Sequence, residues 1–232
     1  MLREVSFDPS NERAQAAVTR LRVFQQTVAK AAMRHLQALV VNDGVAYVRQ
    51  LSPRAASVGF DFLIRVYSAY KEINTLERRS GYPGARMIVA VGPRLRIEGV
   101  SKPRLGHLSS ILSRFSNGIL SPDQAIREAF RSTPVTGGIE ELQANFAFTK
   151  AYLADSDGSK AGFAGPNCFV DATFFSSRPN WLQISDTIEW ATPGMRSSFF
   201  KVSDIDREEA GRVHYVGLRD ALEVANALGI SY

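Results

Sequence analysis

Between residues 12 and 37 no Pro or Gly interrupts the chain, and Val18, Leu21, Phe24, Val28, Ala31 and His35 recur at three- and four-residue steps. That spacing predicts a long amphipathic helix with these side chains on its inner face. Before it, residues 2–7 read as a short strand that stops at Asp8-Pro9-Ser10-Asn11, where proline removes a ladder donor. After it the period changes. Leu39-Val40-Val41 and Val45-Ala46-Tyr47-Val48 are apolar runs on either side of Asn42-Asp43-Gly44. Asn, Asp and Gly tolerate the positive φ that a two-residue hairpin loop requires, so two strands joined by a tight acidic turn are predicted here. The rest of the chain reads as organised around this hairpin.

Ser52-Pro53 breaks the pattern, and a second helix is predicted over 58–79, with Phe62 or Leu63, Val66, Tyr67, Tyr70, Ile73 and Leu76 inward. Gly81-Tyr82-Pro83-Gly84 ends it. Residues 85–92 are apolar nearly throughout, which predicts a central strand covered on both faces, and 93–98 continue or pair with it. The stretch 99–138 is less patterned. It holds a short helix at 108–115 and a helix start at Ser121, which can cap, followed by Pro122 in the first turn and Gln124 at the capping-box position. It reads as an insertion or lid-like excursion within a single domain spanning 1–232. A third helix at 140–154 precedes strands at 167–175, 181–190, 197–202 and 212–216, and a last helix at 218–228. The sum is an α+β or α/β sandwich, helices covering a mostly antiparallel sheet.

Composition alters this picture little. A chain of 232 residues with 45% hydrophobic and 22% charged residues suits one sizeable core. The apolar runs are far shorter than the roughly 20 residues needed to cross a bilayer, and the first residues lack a signal-peptide core, so a cytoplasmic protein without membrane attachment is expected. The single cysteine, Cys168, excludes an internal disulfide and a cysteine metal cage, and its apolar neighbours predict a buried thiol. A net charge of +5 suits an anionic partner such as a nucleoside triphosphate. No block of like charge marks a nucleic-acid surface, and a basic RNA-binding domain is the weakest of the readings weighed.

The chain contains no Gly-x-x-x-x-Gly-Lys loop, no Gly-x-Gly-x-x-Gly loop, no His-Glu-x-x-His and no Gly-x-Ser-x-Gly. His35, His107 and His214 are scattered, which disfavours a histidine triad or zinc site. Metal-carboxylate phosphate chemistry stays open. Asp43 admits two readings, a turn former or a carboxylate ligand on a hairpin tip, where Gly44 lets a phosphate approach. Asp155-Ser156-Asp157-Gly158 lacks the terminal Glu of a calcium loop and reads as a solvated turn.

The order strand, helix, hairpin, helix, strand, with Val41-Asn42-Asp43-Gly44-Val45-Ala46 and then Asn145-Phe146-Ala147-Phe148-Thr149-Lys150, resembles the class III nucleotidyl cyclase homology domain. The nearest relatives by this resemblance are the compact pyrimidine cyclases of bacterial Pycsar antiphage defence. The hairpin looks like the family's Gly-Asp-Gly turn with Asn42 in place of the first Gly. Residues 145–150 look like its Asn-x-Ala-x-Arg helix. The resemblance implies a ferredoxin-like α+β fold and conversion of a ribonucleoside triphosphate, UTP or CTP, to a 3′,5′-cyclic monophosphate and pyrophosphate. It implies Mn²⁺ or Mg²⁺ on Asp43 and Asp8, with Asn42, Gly44 and Arg86 around the substrate. It also implies a homodimer with composite sites. Asn145 would orient the ribose, and Lys150 would stand in for the family's arginine one position late. A one-residue offset turns a helical side chain by about 100°, so an ordinary exposed Lys is the competing reading. Asp8 is likewise open between a metal ligand and a helix cap. The departures at Asp8 and Lys150 motivate an alternative function, a cyclase-fold nucleotide sensor or interaction scaffold without catalysis.

Overall fold

The computed structural model describes residues 12–32, 36–41, 44–51, 59–94, 110–111, 113–125, 145–213 and 216–230. By its internal contacts the chain divides into two compact units, one made of Met1–Gly92 with Ala147–Tyr232 and the other of Pro93–Phe146. In chain order the larger unit holds α1 (Glu12–Ala31), β1 (Gln37–Val41), β2 (Gly44–Val48), α2 (Gly59–Arg79) and β3 (Met87–Val89). After Pro93–Phe146 it continues with α3 (Phe146–Asp157), β4 (Cys168–Asp171), β5 (Leu182–Thr192), β6 (Met195–Ile205), α4 (Arg207–Arg212) and α5 (Ala221–Ala227). Among the described residues no helix is long and apolar enough to cross a membrane.

The four-stranded sheet runs in the order β3-β4-β6-β5. β3 lies parallel to β4, and the other two pairings are antiparallel. The stretch read as a central strand is therefore the outer strand of this sheet among the described residues, and only three of its residues pair. Its coverage on both faces is as expected, because the strand period of two divides the core. Val89, Val91, Cys168, Val170 and Val202 face α2 with Leu63, Val66 and Tyr67. Ile88, Ala90, Phe169 and Phe199 face the other way, toward Ala154 and Leu153 of α3. Edge-to-face rings tighten that second cluster, with Phe163 at 5.1 Å from Phe169 and 5.2 Å from Phe199. Cys168 is fully buried, and burial pushes its thiol far above the ordinary range, which fits the expected inert side chain.

The hairpin forms as its sequence predicts. β1 and β2 pair antiparallel from Gln37↔Val48 to Val41↔Gly44, a register that leaves two residues between the strands. It is a separate two-stranded sheet. Tyr47 ties it to α1, its hydroxyl donating to the Val28 carbonyl at 3.0 Å. α1 ends at Ala31, short of the expected 37, since Leu36 already enters a bridge and Gln37 a strand. Val28 is buried, but Val18 is 49% exposed, a correction to the predicted stripe. Leu21, Phe24 and Ala31 are partly buried as expected, and Ala14 and Ala17, the latter one step off Val18, are partly buried with them.

α2 matches its expected span and buries Leu63, Val66, Tyr67 and Ile73. Its exit depends on two groups. Gly81 takes φ 76°, and the Tyr82 N–H returns to the Glu77 carbonyl at 2.9 Å, which closes the helix end. Buried Asn74 then receives the reversing chain. Its Oδ1 accepts from the Ala85 N–H at 2.9 Å, and its Nδ2 donates to the Ala85 and Tyr70 carbonyls. Gly84 sits against it at φ 97°, where a Cβ would lie 2.2 Å from Asn74 Oδ1. Gly84→Ala is therefore expected to lower unfolding free energy by about 2 kcal/mol or more, from positive φ plus overpacking. A urea titration followed by far-UV circular dichroism checks this; an unchanged midpoint would show that the turn relaxes freely.

Two further expectations are corrected. Of the strand expected over 212–216, the described residues form none: Arg212 closes α4, whose N-cap Asp206 accepts from the Glu209 N–H, and Val213 and Val216 lie in turns, while 214 and 215 lie outside the described residues. The third helix begins at Phe146 and runs on to Asp157, later than the predicted 140–154, of which 140–144 lie outside the described residues. In the smaller unit, the predicted helix start is present. Ser121 Oγ accepts from the Gln124 N–H, and Gln124 Oε1 accepts from the Ser121 N–H, a reciprocal capping box.

Candidate functional site

The strand Cys168-Phe169-Val170-Asp171 is buried at all four positions, so its last residue carries a carboxylate into the protein interior. Asp171 has no exposed surface. A buried carboxylate is tolerated only when both oxygens are bonded and the charge is paired. Here one oxygen, Oδ1, accepts from the Thr173 N–H and from Ser197 Oγ, each at 2.9 Å. The other, Oδ2, accepts from Lys150 Nζ at 2.7 Å and from the Val91 N–H at 3.3 Å. Lys150 Nζ also lies 3.5 Å from Ser197 Oγ. Asp171 thus caps the short 3₁₀ turn Ala172–Phe174 and holds a buried ion pair with α3.

Lys150 is 7% exposed, so the reading of an ordinary exposed Lys is corrected. Its neighbours explain the burial. Phe146-Ala147-Phe148-Thr149-Lys150-Ala151-Tyr152-Leu153-Ala154 holds no other charge, and Lys150 shares its inward face with Ala154 four residues on. The small Ala154 leaves room beside it, the aliphatic stem packs as an apolar chain, and the ammonium ends on Asp171. Asp171 was not among the sequence candidates. The usable signal was a carboxylate closing a wholly apolar strand with Thr173 two residues beyond, the pattern of a capping Asp.

Arg86 and Asn145 lie elsewhere. Arg86 precedes β3 and donates from Nη1 to the Asp155 carbonyl at 3.0 Å and to Asp155 Oδ1 at 2.9 Å. It lines an open recess of about 630 Å³ together with Asp157, Gly158 and Lys160. Val91, which bonds Asp171, follows β3. It stands five positions beyond Arg86, about 16 Å along an extended chain, and Arg86 and Lys150 bond different carboxylates. Asp155 and Asp157, read as part of a solvated turn, are exposed as expected but lie in the last turn of α3, and each carboxylate is also bonded, the first by Arg86 and the second by Trp190 Nε1 at 2.8 Å. Asn145 is buried in the smaller unit, in an isolated antiparallel bridge with Arg94, and the Phe146 N–H donates to the Pro93 carbonyl at 3.0 Å. Gly44 opens β2 and is half-buried. Asp8, Asn42 and Asp43, and His35, His107 and His214, lie outside the described residues. Among the described residues no three His, Cys, Asp or Glu side chains gather as a metal-holding group. Compared with family models, with curated proteins and with solved structures, the chain matches none.

Proposed function

We propose that the chain is a metal-dependent nucleotidyl cyclase that converts a ribonucleoside triphosphate, UTP or CTP, to its 3′,5′-cyclic monophosphate, as a homodimer signalling in antiphage defence. The observation that supports it is the hairpin register. Val41 pairs with Gly44, which leaves Asn42 and Asp43 between the two strands, where the resemblance requires a metal-bound carboxylate. Gly44, without a side chain, begins the return strand and on this reading would let a phosphate approach. A divalent cation held by Asp43 and Asp8 would balance charge on the triphosphate and leaving pyrophosphate. In the reaction the ribose 3′ oxygen gives up its proton and bonds the α-phosphorus as the bond to pyrophosphate breaks.

A second reading is favoured by Lys150. Its charge is spent inside the protein on Asp171, and Thr149, at the position matching the family's arginine, carries no charge. A cyclase fold without that cation binds nucleotide and does not turn it over, which is the sensor reading. Incubation of the purified protein with each of the four ribonucleoside triphosphates and Mn²⁺, with products resolved by chromatography and mass, separates the two. A cyclic monophosphate from one pyrimidine triphosphate is the expected result. Nucleotide retained on the protein without product under any condition overturns the cyclase and leaves the sensor.

A further inference from the structure

Asp171 does more than neutralise Lys150. The backbone pairing of β3 with β4 ends at Val89↔Val170, and two residues further on the Val91 N–H has no ladder carbonyl to meet. Asp171 Oδ2 takes that N–H, so the carboxylate extends the pairing by one side-chain bond. The same oxygen takes the Lys150 ammonium. Val91 stands one residue before the larger unit gives way to Pro93–Phe146, and Lys150 lies three residues after that unit resumes at Ala147. One buried oxygen therefore holds both stretches of chain that bracket residues 93–146. Its partner Oδ1 is fixed in turn by the Thr173 N–H and by Ser197 Oγ of β6, which prevents the carboxylate from rotating.

We infer that Asp171 is a positioning residue, which sets the end of β3 and the first turns of α3. It has no place in bond making. The bond from Lys150 is short at 2.7 Å, that from Val91 longer at 3.3 Å, and an oxygen shared by two segments transmits the loss of either to the other. The consequence for turnover rests on the cyclase reading, in which the helix that carries Lys150 is the one that meets the nucleotide; the consequence for the backbone does not.

Hydrogen exchange by mass spectrometry on the whole chain tests it, comparing wild type with Asp171→Asn and Ser197→Ala under native conditions. Asp171→Asn keeps the side chain's size and removes the charge that holds Lys150. Ser197→Ala removes one bond to Oδ1 and leaves the ion pair, so it folds even where the first variant does not. In Asp171→Asn, peptides covering 89–94 and 145–153 are expected to exchange about tenfold faster, while those from β5 and β6 keep wild-type rates. In Ser197→Ala the same two regions shift in the same direction by a smaller factor. Equal acceleration across β5 and β6, or no change at 89–94 and 145–153 in either variant, overturns the inference. With a triphosphate that the wild type cyclises, Asp171→Asn is expected to lower kcat at unchanged KM. Wild type that makes no product while the two regions respond as stated removes the cyclase and leaves Asp171 as a positioning residue. An active wild type whose exchange and kcat are both insensitive to Asp171→Asn removes the positioning role and leaves the cyclase.

Discussion

Asp171→Ala is expected to lose about 3–5 kcal/mol of unfolding free energy, the range for breaking a buried ion pair by deleting one partner. Several costs add. The Lys150 ammonium, 7% exposed, is left without its counter-charge. The Thr173 and Val91 N–H groups lose their acceptor, each at a desolvation cost of about 1–3 kcal/mol. Those costs overlap, so the sum is not simply additive. Lys150→Met combined with Asp171→Leu is a useful contrast. For an isolated pair, apolar replacement of both partners is often neutral. Here the double variant still strands the two backbone N–H groups and Ser197 Oγ, so recovery is expected to be partial. Urea unfolding of the single and double variants checks both statements. Full recovery in the double variant would show that the backbone bonds to Asp171 carry no net stability.

On the cyclase reading, Asp43→Asn is expected to leave folding nearly unchanged and to remove turnover. Asn suits a hairpin loop as well as Asp. The lost charge is what matters. Removal of one group aimed at transition-state charge costs about 10²–10³ in kcat, and loss of a direct metal ligand is expected at the upper end or beyond. Steady-state rates with Mn²⁺ and the accepted triphosphate, set beside the thermal midpoint of the same variant, check it. A fully active Asp43→Asn protein overturns the metal assignment. Lys150→Ala is expected to act first on stability, because Lys150 is buried and paired with Asp171.

Residues whose role is local were legible in the chain. Gly81 and Pro83 end α2 where expected, the two-residue loop between Val41 and Gly44 is a matter of turn chemistry, and Ser121 with Gln124 closes a box within four residues. Each rests on contacts between near neighbours, which composition and spacing encode directly. The nearly continuous apolar run over 85–92 also told correctly that this strand is covered on both faces, although not that it lies outermost among the described strands, because strand order depends on partners far along the chain.

The order of residues alone was enough to foresee that the chain mixes helices with a largely antiparallel set of strands, that two strands pair on either side of Asn42 and Asp43, and that Cys168 is buried in an apolar strand. The pairing of Lys150 with Asp171 was set by packing. They stand 21 residues apart, and apart from the nearby Thr173 N–H the other groups on that carboxylate come from Val91 and Ser197, 80 and 26 residues from Asp171. A charged residue on an apolar helix face can extend to solvent or turn inward. Which it does is set by whether the packed interior presents a counter-charge within reach, and that is a property of the assembled sheet and helix together.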